Sequence, residues 1–157
     1  MSILYLDMDG VLANFEKWAI DNIGICWKEE IEKDKWGKLF NYPNLYIELP
    51  PMDYAKELYD VCCDITKNRD SVQLLTAIPS RVRFKDCAKH KIEWARKFIH
   101  PNIKVNFGPY AEDKQYHYRT SDILVDDAER NIEQWKGIGI LHVSFENTVR
   151  SLLKIGG

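Results

Sequence analysis

A chain of 157 residues, 45% hydrophobic and 29% charged, has the composition of one globular domain with room for a small insertion. At that length roughly 70% of the unfolded surface is buried on folding, so no staple is required, and no apolar run approaches the roughly 20 residues of a bilayer span. With 22 Lys and Arg against 24 Asp and Glu, the net charge of −2 offers no global field for nucleic acid or anionic lipid.

Taken in chain order, short apolar runs alternate with amphipathic stretches. Ile3–Leu6 reads as a first strand, Val72–Leu75 as a second and Ile103–Phe107 as a third. Ile123–Val125 is the fourth, and Ile138–Val143 contains the fifth. Short runs without long alternation suit strands covered on both faces of a parallel sheet. The Gly- and Pro-free stretch around Ile92, Trp94, Ala95, Phe98 and Ile99 reads as a helix, as does Ala128–Lys136 before Gly137. The pattern predicts a layered α/β fold with a parallel sheet of about five strands.

About 65 residues separate the first two strands, far more than one crossover helix requires. The interval carries Phe15, Trp18, Trp27, Trp36, Phe40, Tyr42, Tyr46, Tyr54 and Tyr59, too many large apolar side chains for a loop. Helices are predicted at about 13–23, 28–40 and 52–68. They form a helical cap over residues 15–68, with 1–14 and 69–157 as the α/β core. No internal repeat is present.

Chemistry concentrates where strands end, which is where open α/β sheets bind ligands. The first strand runs into Asp7-Met8-Asp9-Gly10-Val11-Leu12, a pattern that also serves a plain turn. The fourth ends in Asp126-Asp127, a pair that equally caps a helix. Four carboxylates meeting at one sheet edge repel unless a cation or proton compensates, and an oxygen-rich site of that kind suits Mg²⁺. After the second strand, Thr76 reads either as a phosphate-binding hydroxyl or as a helix cap.

Arg81, Arg83, Lys85, Lys89, Lys91, Arg96 and Lys97 form a basic stretch. It is either a solvated helix face or a rim attracting an anionic substrate. The cysteines Cys26, Cys62, Cys63 and Cys87 form no C-x-x-C, and His90, His100, His117 and His142 lack zinc-ligand spacing. Reduced thiols, together with an N-terminus lacking a basic segment and cleavage site, lead to the expectation of a cytoplasmic protein.

The ordered set Asp7-x-Asp9-Gly-Val, Thr76, Lys114 and Asp126-Asp127 resembles the signature of haloacid dehalogenase (HAD) phosphatases. The wording Leu6-Asp7-Met8-Asp9-Gly10-Val11-Leu12-Ala13-Asn14-Phe15, with Ile123–Asp127 followed by Asn131 and Trp135, is similar to the 5′(3′)-deoxyribonucleotidases, including bacterial and phage-type members. The resemblance implies Asp7 as nucleophile, forming an aspartyl-phosphate, and Asp9 as acid and then base. It implies a Rossmann-like HAD core with strand order 3-2-1-4-5, and Mg²⁺ on Asp7, the Asp9 backbone carbonyl, Asp126 and Asp127. Thr76, the Ala77 backbone N–H and Lys114 would hold the phosphoryl group, with Arg119 the alternative cation to Lys114.

Phe15 matches a position that packs against the base; it either stacks there or fills the cap–sheet interface. Trp36, Phe40 and Tyr46 either line the same pocket or belong to the cap core. The implied activity is Mg²⁺-dependent hydrolysis of (deoxy)nucleoside monophosphates, small-molecule substrates, by a monomer or homodimer. A sugar phosphate, a nucleic-acid 3′-phosphate end, or nucleotide binding without catalysis are the alternatives. A receiver domain is rejected because it expects its acidic pair after the first strand, where D-x-D stands here.

Overall fold

The computed structural model describes residues 2–29, 35–78, 84–108 and 120–156. Five strands form one parallel sheet: β1 (Leu4–Leu6), β2 (Val72–Ala77), β3 (Val105–Gly108), β4 (Ile123–Asp126) and β5 (Ile138–Leu141). Their order is β3-β2-β1-β4-β5, as the family resemblance implies. In register, Leu6 lies beside Leu74 and Val125, so β1, β2 and β4 finish at one edge.

The period of two along β1 sorts the core onto the two sheet faces. Leu4 and Leu6 join a large cluster with Val72, Leu74, Ile123 and Val125, whereas Tyr5 joins a smaller one with Leu75, Leu124 and Trp135. Helix α5 (Glu129–Gln134) supplies the smaller face through Ile132. Helices α3 (Ala55–Thr66), α4 (Cys87–Phe98) and α6 (Phe145–Gly156) supply the larger through Leu58, Tyr59, Cys62, Trp94, Ala95 and Leu152. The helix α6 falls in a stretch that the sequence pattern left unassigned.

Between β1 and β2 lie α1 (Phe15–Ile23), a 3₁₀ turn (Lys35–Leu39), the one-turn α2 (Leu45–Glu48) and α3. Asn14 caps α1 by accepting from the Lys17 N–H at 3.0 Å, and Gly24 ends it at φ 69°. The helix expected over 28–40 is not formed across its described residues, which hold a turn at 27–29 and the 3₁₀ turn around Gly37. The segment has no apolar stripe before Trp36, so a long helix there would have no face to bury. Trp18, Leu39, Leu45, Tyr46 and Leu49 from this insertion belong to the same cluster as the sheet residues. No helix among the described residues is long and apolar enough to cross a membrane.

Trp94 joins the insertion to the sheet layer. It is fully buried, and its indole N–H donates to the Leu49 carbonyl at 2.7 Å. Trp94→Ala should cost about 3–5 kcal/mol, through the cavity and the orphaned carbonyl together. Urea unfolding of the two proteins measures the difference, and a loss under about 1 kcal/mol would contradict this packing.

Candidate active site

The D-x-D segment closes into a tight loop after β1. Leu12 and Ala13 N–H groups donate to the Met8 carbonyl at 2.9 and 2.8 Å, and Gly10 N–H donates to the Ala13 carbonyl at 2.9 Å. The loop is then tied to the segment before α3: Asn14 N–H donates to Pro50, and Met52 N–H donates to Leu12, both at 2.7 Å. Met8, Val11 and Leu12 point inward and are fully buried, which anchors the intervening polar residues at the surface of the core.

Asp7, Asp126 and Asp127 place a carboxylate oxygen each within 4.8 Å of one another. The parallel register produces this, because Asp7 leaves β1 beside the end of β4. Asp126 is itself held: its oxygens accept from the Ala128 N–H at 2.9 Å and the Asn131 amide at 3.0 Å. Asp127 lies 3.5 Å from the ammonium of the largely exposed Lys28. A donor set of three carboxylates, partly buried and facing one point, fits a hard divalent cation such as Mg²⁺.

Gly10 is required by this arrangement. Its φ is +86°, and a Cβ there would fall 2.0 Å from the Asp127 Oδ2. The fourth residue of the D-x-D-G pattern thus leaves the space that the last acidic residue occupies.

Asp9 faces a cavity of about 220 Å³, lined also by Gly10, Phe15, Trp27, Trp36, Tyr46 and Asp127. The Asp9 Oδ1 is buried and has no hydrogen-bond partner among the described residues. Phe15 meets Trp27 edge-on at 5.2 Å, and Trp27 meets Trp36 at 5.0 Å, so the aromatic wall is mutually braced. Phe40 is not among the lining residues; it packs at 5.9 Å on Phe84, behind the cavity. Burial, and then the charge of Asp9, push the Tyr46 phenol well up, so it stays neutral. Burial and Asp127 push Tyr54 to about 12; its hydroxyl hydrogen-bonds the His142 Nε2 at 2.7 Å.

Thr76 and Ala77 end β2 on the same sheet edge, and Thr76 is buried. The basic stretch resolves into two kinds of residue. Lys85, Lys89, Arg96 and Lys97 are exposed, the solvated face, while Lys91 is fully buried and reaches Thr76, Ala77 and Asp9. Arg81, Arg83, Lys114 and Arg119 lie outside the described residues.

Sequence reasoning passed over Lys91 and Trp27. The first was detectable: Lys91 stands four residues after Cys87 and three before Trp94, on the stripe that α4 buries. Trp27, in a turn, offers no periodic signal.

The strand order and the carboxylates at the strand ends agree with a HAD-type fold. Residues 1–152 match the family model described as 5′ nucleotidase, deoxy (pyrimidine), cytosolic type C protein, and the chain belongs to that family. No curated protein matches it. Among solved structures, the HAD domain of effector protein Lem4 from Legionella pneumophila (an inactive mutant) is similar. It has 14% identity and a TM-score of 0.49, over 98% of this chain and 93% of that one.

Gly10→Ala should keep the fold and weaken divalent-ion binding by about 10- to 100-fold, because the new methyl displaces Asp127. Calorimetric titration of Mg²⁺ into both proteins checks this; equal affinities would mean that Asp127 is no ligand.

Proposed function

We propose that the chain is a Mg²⁺-dependent phosphomonoesterase that hydrolyses (deoxy)nucleoside monophosphates to nucleoside and phosphate. The observation that carries this reading is the convergence of Asp7, Asp126 and Asp127 beside an aromatic-walled cavity, in a chain of the nucleotidase family. Asp7, Asp126 and Asp127 would hold the ion, with the Asp9 backbone carbonyl. When bound, Mg²⁺ neutralises charge so that an anionic nucleophile can approach an anionic phosphate.

In the first step an Asp7 carboxylate oxygen attacks phosphorus. The bond from phosphorus to the nucleoside oxygen breaks, and that oxygen takes the proton from Asp9. Asp9, now a carboxylate, removes a proton from water in the second step. The water oxygen attacks phosphorus, and the bond to Asp7 breaks, releasing phosphate and restoring both aspartates. Thr76, the Ala77 backbone N–H and Lys114 hold the phosphoryl oxygens in this reading.

Residues 15–68 act as the cap, with 1–14 and 69–157 as the catalytic core. The cap's contribution is the aromatic wall: Phe15, Trp27, Trp36 and Tyr46 give a base a surface to stack on. The cavity is suited to one small ligand. On α4, Lys89 faces Glu93 at 3.9 Å.

Phosphate release from ribo- and deoxynucleoside 5′- and 3′-monophosphates, sugar phosphates and 3′-phosphorylated oligonucleotides tests the reading. Turnover of mononucleotides that is abolished by chelator and by Asp7→Asn is the expected result. Turnover confined to sugars or oligonucleotides would overturn the substrate, and none at all would overturn the enzyme. Trp36 is 46% exposed, so its loss leaves the core intact. Trp36→Ala should raise KM by about 5- to 150-fold, the equivalent of losing about 1–3 kcal/mol of base stacking, with a smaller change in kcat. An unchanged KM would place the base elsewhere.

A further inference from the structure

A second cavity, of about 240 Å³, opens at the edge of the sheet opposite the carboxylates. Val72, at the start of β2, lines it, whereas Thr76 and Ala77 end the same strand on the catalytic edge. At roughly 3.3 Å per residue, the six residues of β2 put about 17 Å between the two places. The two cavities share no lining residue.

The floor of this second cavity is closed and its rim is charged. Tyr59 and Val72 are each 1% exposed, while Arg69, Asp70 and Lys104 stand exposed around them. Among the described residues, the side chains of these three make no ion pair and no hydrogen bond. The neighbouring Lys56, by contrast, is held by Asp60 at 3.0 Å. Two cations against one carboxylate leave the rim positive. The Tyr59 phenol does not offset this, because burial, and then a hydrogen bond with Cys63, push it well up and keep it neutral.

His100 supplies a third donor to the same cavity. Its ring packs on Tyr59 at 5.9 Å, and its Nδ1 accepts from the Asn102 N–H at 3.1 Å. Partial burial, then Arg69 and Lys56, push the imidazole below its ordinary value, so it is neutral. With Nδ1 accepting, the ring proton sits on Nε2 and is left for a ligand. The donors come from three separate segments: the 3₁₀ turn Arg69–Ser71, the end of α4, and the residue before β3. A planar carboxylate suits a single forked donor, whereas a tetrahedral phosphate offers oxygens to donors arriving from several sides. Asp70 adds an acceptor at the rim, which a hydroxyl would satisfy.

We propose that this cavity is a second ligand site, which takes a small phosphate ester bearing hydroxyls. Arg69, Lys104 and His100 hold its phosphate, Asp70 accepts from a hydroxyl, and the floor of Tyr59 and Val72 lies under its body. No bond is made or broken there. The site stands apart from the hydrolytic reading, since it uses none of the groups at the catalytic edge.

Titration followed in ¹H–¹⁵N spectra reads the cavity residue by residue. The full chain carrying Asp7→Asn, with chelator present, is titrated with ribose 5-phosphate, inorganic phosphate and malonate, against sodium chloride of matched ionic strength. Saturable shifts of the Arg69, Gln73, Asn102 and Lys104 amides are expected. Ribose 5-phosphate should bind at least about tenfold more tightly than inorganic phosphate, the worth of a hydroxyl bonded to a carboxylate. Malonate should be the weakest of the three. Arg69→Gln combined with Lys104→Gln should weaken ribose 5-phosphate by at least about tenfold. Both side chains are exposed, so the rest of the spectrum should not move.

Shifts that match the chloride control, that are confined to the catalytic edge around Thr76 and Asp126, or that keep full affinity in the double variant would overturn the site. Malonate binding as tightly as the phosphates would overturn the choice of phosphate. Equal affinity for phosphate and its ester would overturn the part given to Asp70. A wild-type protein that hydrolyses no phosphomonoester bears on the phosphatase reading alone.

Discussion

Crowding of negative charge at one edge of the sheet is the constraint on which the rest of the structure depends. Three carboxylate oxygens within 4.8 Å of one another repel, by about 3–4 kcal/mol per pair of unit charges at an effective dielectric of about 20. No fold gathers them there for stability. The sheet tolerates the arrangement because rigid neighbours hold each group. Asp7 is fixed by its N–H to the Val125 carbonyl, and Asp126 by the Ala128 N–H and the Asn131 amide. In the reading proposed above, a cation would meet donors that are already in place.

Around this edge, cationic and neutral groups are sorted by depth. Lys91 enters from beneath the sheet edge on α4, wholly out of water, while Lys28 approaches Asp127 from the solvent side. Tyr46 and Tyr54, both kept protonated by burial and a nearby carboxylate, add hydroxyls without adding charge. The acidic cluster and the buried ammonium are therefore two halves of one electrostatic design, meeting at Asp9.

The sheet was legible because its strands are short apolar runs, a pattern that local sequence carries in full, and because two of them, β1 and β4, run into carboxylates. The strand order came with the family resemblance, since local runs carry no order. The insertion was legible only as a mass of aromatics. Among the described residues of its expected 28–40 helix, turns stand instead, with Trp27 and Trp36 braced against each other around a cavity. Phe40 and Tyr46 have the same sequence character and both pack on Phe84, yet only Tyr46 of the two lines the cavity. Only tertiary packing separates them. Lys91 shows the opposite case: the helical period placed it inward, but a charge run reads as a solvated face until a buried acceptor set is seen.

The insertion and the catalytic edge share one hydrophobic cluster, and this has a mechanical consequence. Trp94 and Lys91 are three residues apart on α4; one is pinned to the Leu49 carbonyl in the insertion, and the other to Asp9 and Thr76 in the core. The D-x-D loop is likewise tied to the segment at 50–52 by two 2.7 Å hydrogen bonds. Any movement of the aromatic wall is thus carried to Asp9 and Thr76 through short, buried connections. In the reading proposed above, seating of a ligand against that wall and alignment of the proton donor are then coupled by packing.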